Sequence, residues 1–221
     1  MLRSPAERFV AAPAAKLPAA EADARPPDSR GLAWLLLVAG LLGLVASFVL
    51  AVEKYALLAD PEYVPTCSLN PVLSCGPIMA SPQAEAFGFP NPLLGIAGFA
   101  VVAATGAALL AGARLAGWYW AGLQLGVTAG VIFVHWLIFS SLYRIGALCP
   151  YCMVVWAVTI PVFWYVSLRN ATAASGRWRP AAARTVHGAR SLHGVVLTLW
   201  FLLIAAAILQ RFWLFWSTSL G

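Results

Sequence analysis

The sequence predicts an all-α, polytopic membrane protein: a bundle of four transmembrane helices followed by a fifth transmembrane helix. Of its 221 residues, 62% are hydrophobic and only 10% are charged, whereas a soluble domain is typically about 25% charged. Five uncharged stretches are long enough to span a bilayer, which needs about 20 apolar residues. They cover residues 31–52, 91–113, 115–143, 145–168 and 194–210. This composition leaves little room for a separate soluble domain.

The distribution of Lys and Arg predicts how these spans are oriented. If the N-terminus is cytoplasmic, eleven of the 14 basic residues lie on the cytoplasmic side, and only Lys54, Arg144 and Arg211 lie outside. Cytoplasmic loops carry such an excess of basic residues. The net charge of +6 therefore reports topology and is a poor argument for nucleic-acid binding. All four cysteines then lie on the outer side, which suits disulfide chemistry in an oxidising compartment.

Composition also predicts the segments around the spans. Residues 1–30 mix Ala, Pro and charges without apolar periodicity, which predicts a disordered cytoplasmic tail. Residues 31–52 are too long for a signal-peptide core and lack a cleavage motif, so we expect a retained helix. Residues 53–90 form a long outer loop, residues 169–193 a basic cytoplasmic loop, and residues 194–216 the fifth transmembrane helix.

Glycines mark two positions where a neighbour can come close. Gly122, Gly126 and Gly130 recur every four residues in the third span. Such a stripe lets helices pack closely in lipid, so we interpret it as a packing surface. Gly95 and Gly98 lie near the outer end of the second span, where a helix or a ligand can approach closely.

A Cys-x-x-Cys pair opens the fourth span. Two thiols at this spacing often serve redox exchange. We expect Cys149 at the helix N-cap and Pro150 in the first turn, where proline is tolerated. The positive end of the helix dipole then favours a Cys149 thiolate, while Cys152 lies one turn deeper on the same face. A structural disulfide or half of a zinc site is the alternative.

A second pair, Cys67 and Cys75, lies in the outer loop with seven residues between its members. Two pairs at one water–membrane boundary suggest a relay, in which an exposed pair meets a soluble dithiol and a buried pair meets a lipid-soluble oxidant. Two structural bridges, or one zinc site of four thiolates, remain alternatives, although an oxidising compartment disfavours zinc. A c-type haem needs His after the second Cys, where Met153 stands.

Three residues are candidates for holding a quinone near these thiols. Asn91 opens the second span and is equally suited to be a helix cap. His135 lies inside the third span; an ionisable residue there is a functional candidate, although an interhelical hydrogen bond is the commoner role. Trp156 lies one turn below Cys152 and can stack on a flat ring, although an aromatic residue at this spacing is more often core.

Together these motifs resemble the vitamin K epoxide reductase (VKOR) family, most closely its bacterial members. The resemblance covers about residues 31–168. It is carried by the two cysteine pairs, by Ser81, and by the run Phe87-Gly88-Phe89-Pro90-Asn91 followed by Leu94-Gly95. The tetrapeptide Cys-Pro-Tyr-Cys also occurs in glutaredoxins, but their soluble strand–helix context is absent here.

The resemblance implies a four-helix bundle around a quinone, menaquinone or ubiquinone, capped by the outer loop. It also implies that Cys67 and Cys75 are the shuttle pair, that Cys149 exchanges with Cys75, and that Cys152 lies against the quinone.

The same resemblance assigns the remaining site residues. Asn91 matches the quinone-contacting Asn of the family, and Ser81 matches a loop Ser that helps to hold the lid. Trp156 stands where animal members often have Tyr, which weakens any claim of vitamin K epoxide reduction and leaves simple quinone reduction intact. No metal is expected at the site.

The resemblance further implies a role in making disulfides for exported proteins at the cell inner membrane. Some bacterial members carry a fused thioredoxin domain after the fifth helix; this sequence ends there, so the expected partner is a separate DsbA-like, thioredoxin-like protein. A DsbB-like oxidase of separate descent is one alternative, although its usual order of the two cysteine pairs is reversed. A non-enzymatic membrane protein with two structural disulfides is the other.

Overall fold

The computed structural model describes residues 28–60, 62–174 and 191–213, with residues 188, 215 and 217. The predicted tail, residues 1–30, and the predicted basic loop, residues 169–193, lie largely outside this part of the chain.

Helices form nearly all the regular structure in the part of the chain that is described. Five are long and apolar enough to cross a membrane, which confirms the predicted all-α, polytopic membrane protein. Within the described residues there are six α-helices: α1 (Asp28–Ala59), α2 (Gly76–Met79), α3 (Pro92–Leu110), α4 (Gly117–Phe139), α5 (Pro150–Ala174) and α6 (His193–Arg211). A 3-10 helix covers Pro82–Glu85, and a π-helical segment, Ser140–Ile145, continues α4.

Two helices are longer than the uncharged stretches predicted. Helix α1 continues to Ala59, so Glu53 and Lys54 lie on the helix and not in the outer loop. Helix α5 continues to Ala174, past the predicted end at residue 168. Charged residues mark where a span ends in sequence, but a helix continues wherever those charges find contacts.

Helices α1 and α3 form the closest contact of the bundle, and glycine makes it possible. A Cβ added at Gly40 would overlap the backbone of Ala103, and one added at Gly106 would overlap the backbone of Leu37. Gly95 likewise faces Ser47 on α1. Helix α1 also packs on α5, and α5 on α4, whereas the consecutive helices α3 and α4 scarcely touch.

Polar side chains join α4 to α5 at the inner end. Gln124 Nε2 donates to Ser167 Oγ at 2.9 Å, and Asn170 Nδ2 donates to Gln124 Oε1 at 3.1 Å. The Arg169 guanidinium lies over the Trp120 ring, 3.8 Å from its centroid. Hydrogen bonds between helices stabilise membrane bundles where hydrophobic burial gives no preference for protein over lipid.

The π-helical segment turns the chain from α4 toward α5. Gly146 ends it with φ +75°, in the left-handed region that suits glycine. Helix α6 is attached on this side, because Arg211 Nε donates to the Leu142 carbonyl oxygen at 2.8 Å. None of the residues of α6 itself is fully buried by the described part of the chain.

Candidate active site

A short backbone pairing brings the two cysteine segments together. The Leu148 N–H donates to the Val72 carbonyl oxygen at 2.7 Å, and the Ser74 N–H donates to the Leu148 carbonyl oxygen at 2.8 Å. Cys75 follows Ser74 and Cys149 follows Leu148. This pairing of the outer loop with the segment before α5 therefore fixes the two thiol-bearing residues side by side.

The sulfur atoms form a connected group. Cys67 and Cys75 form a disulfide, whereas Cys149 and Cys152 are free thiols. Cys75 Sγ lies 3.0 Å from Cys149 Sγ, and the sulfurs of Cys67, Cys75 and Cys149 all lie within 4.8 Å of one another. One pair is oxidised, the other is reduced, and the closest atoms between the pairs are the two sulfurs that an exchange would join.

Cys149 lies just before α5, which begins at Pro150 as predicted. The Cys152 N–H points at Cys149 Sγ at 3.4 Å. A hydrogen bond from the Cys152 side chain lowers the pKa of Cys149, backbone N–H groups of Cys152 and Tyr151 lower it further, and burial opposes them. Cys149 is thus the thiol of the pair that is disposed to be a thiolate.

The expectation of an exposed outer pair is wrong. Cys67 is 5% exposed and Cys75 is fully buried. The outer loop folds down on the bundle, and the disulfide packs with Leu50, Met79 and Cys149. The segment between Cys67 and Cys75 does not itself indicate that the disulfide is buried, because the side chains that cover the disulfide come from α1 and α2.

Two adjacent charged residues at the outer end of α1 hold the loop in place. Glu53 accepts hydrogen bonds from the Tyr63 hydroxyl at 2.9 Å, from the Thr66 N–H at 3.3 Å and from the Thr66 hydroxyl. Lys54 donates to the Met79 carbonyl oxygen at 2.7 Å and pairs with Glu85 at 2.8 Å. The loop is therefore fastened to α1 on both sides of the disulfide.

An elongated cavity of about 550 Å³ lies between α3 and α4, beneath the loop. This volume is within the roughly 300–1,000 Å³ typical of ligand pockets. Its wall is mostly apolar, and most of its polar residues gather at the outer end. These are Ser47, Ser81, Gln83, Asn91, Ser140 and Ser141, and Cys152 is also among the lining residues, whereas Tyr119 and Thr159 line deeper parts of the cavity.

The glycine stripe of α4 lines this cavity, so its interpretation as a packing surface is wrong. A Cβ added at Gly122 or Gly126 would meet nothing within 4 Å, and one added at Gly130 would meet only Thr159, at 3.8 Å. Gly98, across the gap on α3, also faces open space. The small residues here widen a cavity and do not bring two helices together.

Asn91 lies at the N-cap position of α3 but does not cap the helix with its side chain. Its Nδ2 donates to the Gln83 carbonyl oxygen at 2.7 Å, and its Oδ1 accepts from the Ala86 N–H at 3.1 Å. The cap interpretation is therefore wrong. An amide nitrogen carries two hydrogens, so Asn91 Nδ2 has a second hydrogen to donate in addition to the one bonded to the Gln83 carbonyl. Asn91 both lines the cavity and holds the loop above it.

Ser81 and Trp156 also line the cavity. The Ser81 hydroxyl donates to the Ile78 carbonyl oxygen at 2.6 Å, which ties the loop segment to itself. Trp156 is 4% exposed and packs with Val72 and Leu148 beside Cys152. The ring is thus both part of the core and part of the cavity wall.

His135 is not among the residues that line the cavity. Its Nδ1 lies 2.7 Å from the Val131 carbonyl oxygen, and its Nε2 accepts from the Trp200 indole N–H at 2.9 Å. A carbonyl only accepts and an indole N–H only donates, so the ring is the neutral Nδ1–H tautomer and both nitrogens are used. The geometry supports the interhelical hydrogen bond and gives no support to the quinone role.

Sequence reasoning missed Ser140. Its side chain is 1% exposed, it lines the cavity, and its Oγ has no hydrogen-bond partner among the described residues. No motif marks Ser140, since serine is common in membrane helices. The clamp formed by Glu53 and Lys54 was also missed, although two charges directly after an apolar span could have drawn attention to it.

Comparison with known proteins agrees with this geometry. The model of the vitamin K epoxide reductase family matches residues 34–167, which is more than half of the chain and includes all four cysteines. A search of curated proteins found no match. The family match favours VKOR-like descent over the DsbB-like alternative. The chain belongs to the vitamin K epoxide reductase family and is a multi-pass membrane thiol–disulfide oxidoreductase.

Proposed function

We propose that this protein is a quinone-dependent oxidase that restores the disulfide of a separate DsbA-like, thioredoxin-like partner, which makes disulfides in exported proteins. The observation that carries the proposal is the 3.0 Å distance between Cys75 Sγ and Cys149 Sγ. It connects a disulfide in the outer loop with a dithiol whose second member lines an apolar cavity.

The first exchange takes place at the Cys67–Cys75 disulfide. A partner thiolate attacks it, and the second partner thiol then completes the partner's disulfide, leaving Cys67 and Cys75 as thiols. Both electrons and both protons of the partner dithiol have then moved to the loop pair. Because both loop cysteines are buried, the loop must move away from α1 to admit the partner.

The second exchange moves the electrons toward the membrane. The Cys75 thiolate attacks Cys149 of a Cys149–Cys152 disulfide and releases Cys152 as a thiolate. Cys67 then attacks Cys75, re-forms the loop disulfide and releases Cys149. The structure has this product arrangement, with the loop pair oxidised and the inner pair reduced. Each attack needs a thiolate. The position of Cys149 before α5 favours its thiolate, which makes Cys149 a good leaving group in the last step.

The residues around the cavity suit a quinone. A bound quinone accepts the two electrons and two protons that the Cys149–Cys152 dithiol gives up as its disulfide forms. The quinone ring would lie at the polar outer end of the cavity, next to Cys152, where an Asn91 N–H can donate to a ring oxygen. The apolar remainder of the cavity has room for a prenyl tail. Trp156 forms a flat wall next to Cys152.

In the proposed orientation, this chemistry takes place on the outer side of the cell inner membrane, and the N-terminus lies in the cytoplasm. The excess of Lys and Arg on the opposite side supports it, and so does the need for an oxidising compartment. Cysteine labelling with a membrane-impermeant reagent in intact spheroplasts tests this arrangement. Cysteines introduced into the predicted cytoplasmic loop, residues 169–193, should stay unlabelled until the membrane is opened.

The first test of function is a thiol count on the purified protein in detergent. All four cysteines are reduced, the reductant and oxygen are removed, and ubiquinone or menaquinone is added beside a control without quinone. We expect two thiols to disappear for each quinone reduced, and Cys152→Ser to abolish the reduction. Four thiols that persist with both quinones would contradict the proposal.

A second test examines the route between the pairs. The variant Cys67→Ser/Cys152→Ser keeps only Cys75 and Cys149, which should form a bridge rapidly on mild oxidation because their sulfurs are adjacent. The matched control Cys75→Ser/Cys149→Ser keeps only the other two cysteines and should form no comparable bridge. Mass spectrometry of the linked peptides identifies the products. Equal bridging in both variants would contradict the assigned route.

A further inference from the structure

The Ser140 hydroxyl differs from the threonine hydroxyls of the bundle. Hydroxyls within membrane helices usually donate to a carbonyl oxygen one turn earlier. Thr105, Thr128 and Thr159 all do so, with distances of 2.6–2.7 Å. Ser140 Oγ finds no acceptor or donor in the described part of the chain, although its side chain is buried.

Such a group is costly to leave without a partner. A buried hydroxyl that makes no hydrogen bond loses its hydration without gaining a partner, which destabilises the protein. Ser140 lies where α4 changes into the π-helical segment, and the neighbouring Ser141 hydroxyl donates to the Ala147 carbonyl oxygen. Ser141 thus supports the turn toward Cys149, while the Ser140 hydroxyl has no such structural use.

The position of Ser140 indicates a ligand as its partner. Ser140 lines the outer part of the cavity, as do Asn91 and Cys152. Its Oγ has less than 1 Å² of accessible surface, so the hydroxyl reaches a ligand in the cavity by rotation of the side chain. Asn91 comes from the outer end of α3, and Ser140 from the outer end of α4, on opposite sides of the gap. His135 cannot take this role, because both of its ring nitrogens are already used.

We propose that Ser140 is a quinone-binding residue, whose hydroxyl donates a hydrogen bond to one carbonyl oxygen of the quinone ring. The inference rests on the proposed function. A 1,4-quinone carries carbonyl oxygens on opposite sides of its ring, so donors from α3 and α4 can serve one oxygen each. A donor fixed at such an oxygen also stabilises the negative charge that grows there as the electrons arrive from the dithiol.

The test compares Ser140→Ala with the matched control Thr128→Val. Thr128 lies in α4 and Ser140 directly follows that helix, and each variant removes one hydroxyl. The Thr128 hydroxyl, however, bonds within its own helix and does not line the cavity. We expect Ser140→Ala to lower kcat/KM for menaquinone or ubiquinone about tenfold, which corresponds to about 1.4 kcal/mol for one hydrogen bond. We expect Thr128→Val to keep the wild-type kcat/KM.

Infrared spectra of quinone labelled with ¹³C at the carbonyl carbons give an independent readout. In wild type, both carbonyl stretches should lie below their frequency in apolar solvent. In Ser140→Ala, one of the two carbonyl stretches should shift back toward its frequency in apolar solvent. The quinone-free Ser140→Ala protein should melt no lower than wild type, since it loses an unpaired polar group, and a merely structural serine would instead cost stability.

The outcomes separate this inference from the proposed function. If wild type reduces quinone and Ser140→Ala has the same kcat/KM and the same infrared spectrum, Ser140 is not a ligand and the proposed function stands. If wild type neither binds nor reduces any quinone, the proposed function fails, and this inference fails with it.

Discussion

Helix α3 has two faces with opposite properties, and glycine occurs on both. Toward α1, Gly95 and Gly106 allow backbone and side chains to meet so closely that an added Cβ would overlap Ser47 or Leu37. Toward α4, Gly98 faces open space, as do Gly122 and Gly126 across the gap. One interface is closed by its small residues and the other is held open by them.

The comparison shows that a small residue has no fixed meaning in a membrane helix. Glycine permits a close approach, but whether a helix or a ligand takes the space depends on what the neighbouring helix presents. In the closed interface, the backbone of α1 fills the space beside the glycines of α3. On the open side α3 and α4 scarcely meet, so the removed side-chain volume is added to the cavity.

The largest expected effect comes from filling the closed interface. Gly106→Leu places a side chain against the backbone of Leu37, and overpacking of this kind typically costs about 1–3 kcal/mol or more. We expect a clearly lower melting temperature in detergent, or failure to recover a monodisperse protein. Thermal unfolding followed by size-exclusion chromatography measures this. A variant with wild-type stability would show that the interface is looser than the structure indicates.

The next effect concerns the outer loop, which is fastened to α1. Lys54→Met removes the hydrogen bond to the Met79 carbonyl oxygen and the ion pair with Glu85. Since a buried hydrogen bond to a charged group contributes about 1.5–3 kcal/mol, we expect the loop to open roughly tenfold more often or more. The measurement is the rate at which glutathione reduces the Cys67–Cys75 disulfide. Glu62→Gln, an exposed change in the same loop, is the control and should leave that rate unchanged.

A larger side chain in the open interface should raise the KM for long-chain quinones without lowering the stability of the protein. Gly126→Leu projects into the cavity, where a Cβ meets no other atom within 4 Å. We expect nearly wild-type stability and a KM for long-chain quinones raised about tenfold, with a smaller effect on a quinone that lacks the tail. Steady-state quinone reduction with both substrates measures this difference. Equal effects on the two quinones would indicate that the tail does not occupy this part of the cavity.

The smallest expected effect tests the residue that belongs to both regions. Cys152 lines the open cavity, and its side chain hydrogen-bonds to Cys149, which packs with Leu50 of α1, and lowers the pKa of Cys149. Cys152→Ala should therefore raise this pKa toward that of an ordinary thiol, so that a higher pH is needed to form the thiolate. Thiolate absorbance of Cys149 against pH measures the midpoint, with the loop disulfide kept intact. Cys152→Ser, which keeps a donor, should raise it less, and equal midpoints in all three proteins would contradict the hydrogen bond.

The sequence was sufficient for the features that depend on composition and local spacing. The five spans, the start of α5 at Pro150 and the meeting of the two cysteine segments follow from apolar length, proline preference and topology. Helix rotation was not predictable, because α4 has only a few polar side chains and a very weak amphipathic pattern. Which way Gly126, His135 and Ser140 face is decided by contacts with α5 and α6, which are distant in sequence.

The pairing of Leu73 with Leu148 has a consequence for the order in which the protein is made. Cys75 and Cys149 are 74 positions apart in the chain, and synthesis proceeds from the N-terminus. The loop cysteines therefore emerge before the ribosome has reached the fourth span, and they have no second pair to exchange with. Exchange between the two cysteine pairs becomes possible only after α5 is inserted, so a nascent chain lacks the thiol–disulfide relay until its bundle is complete.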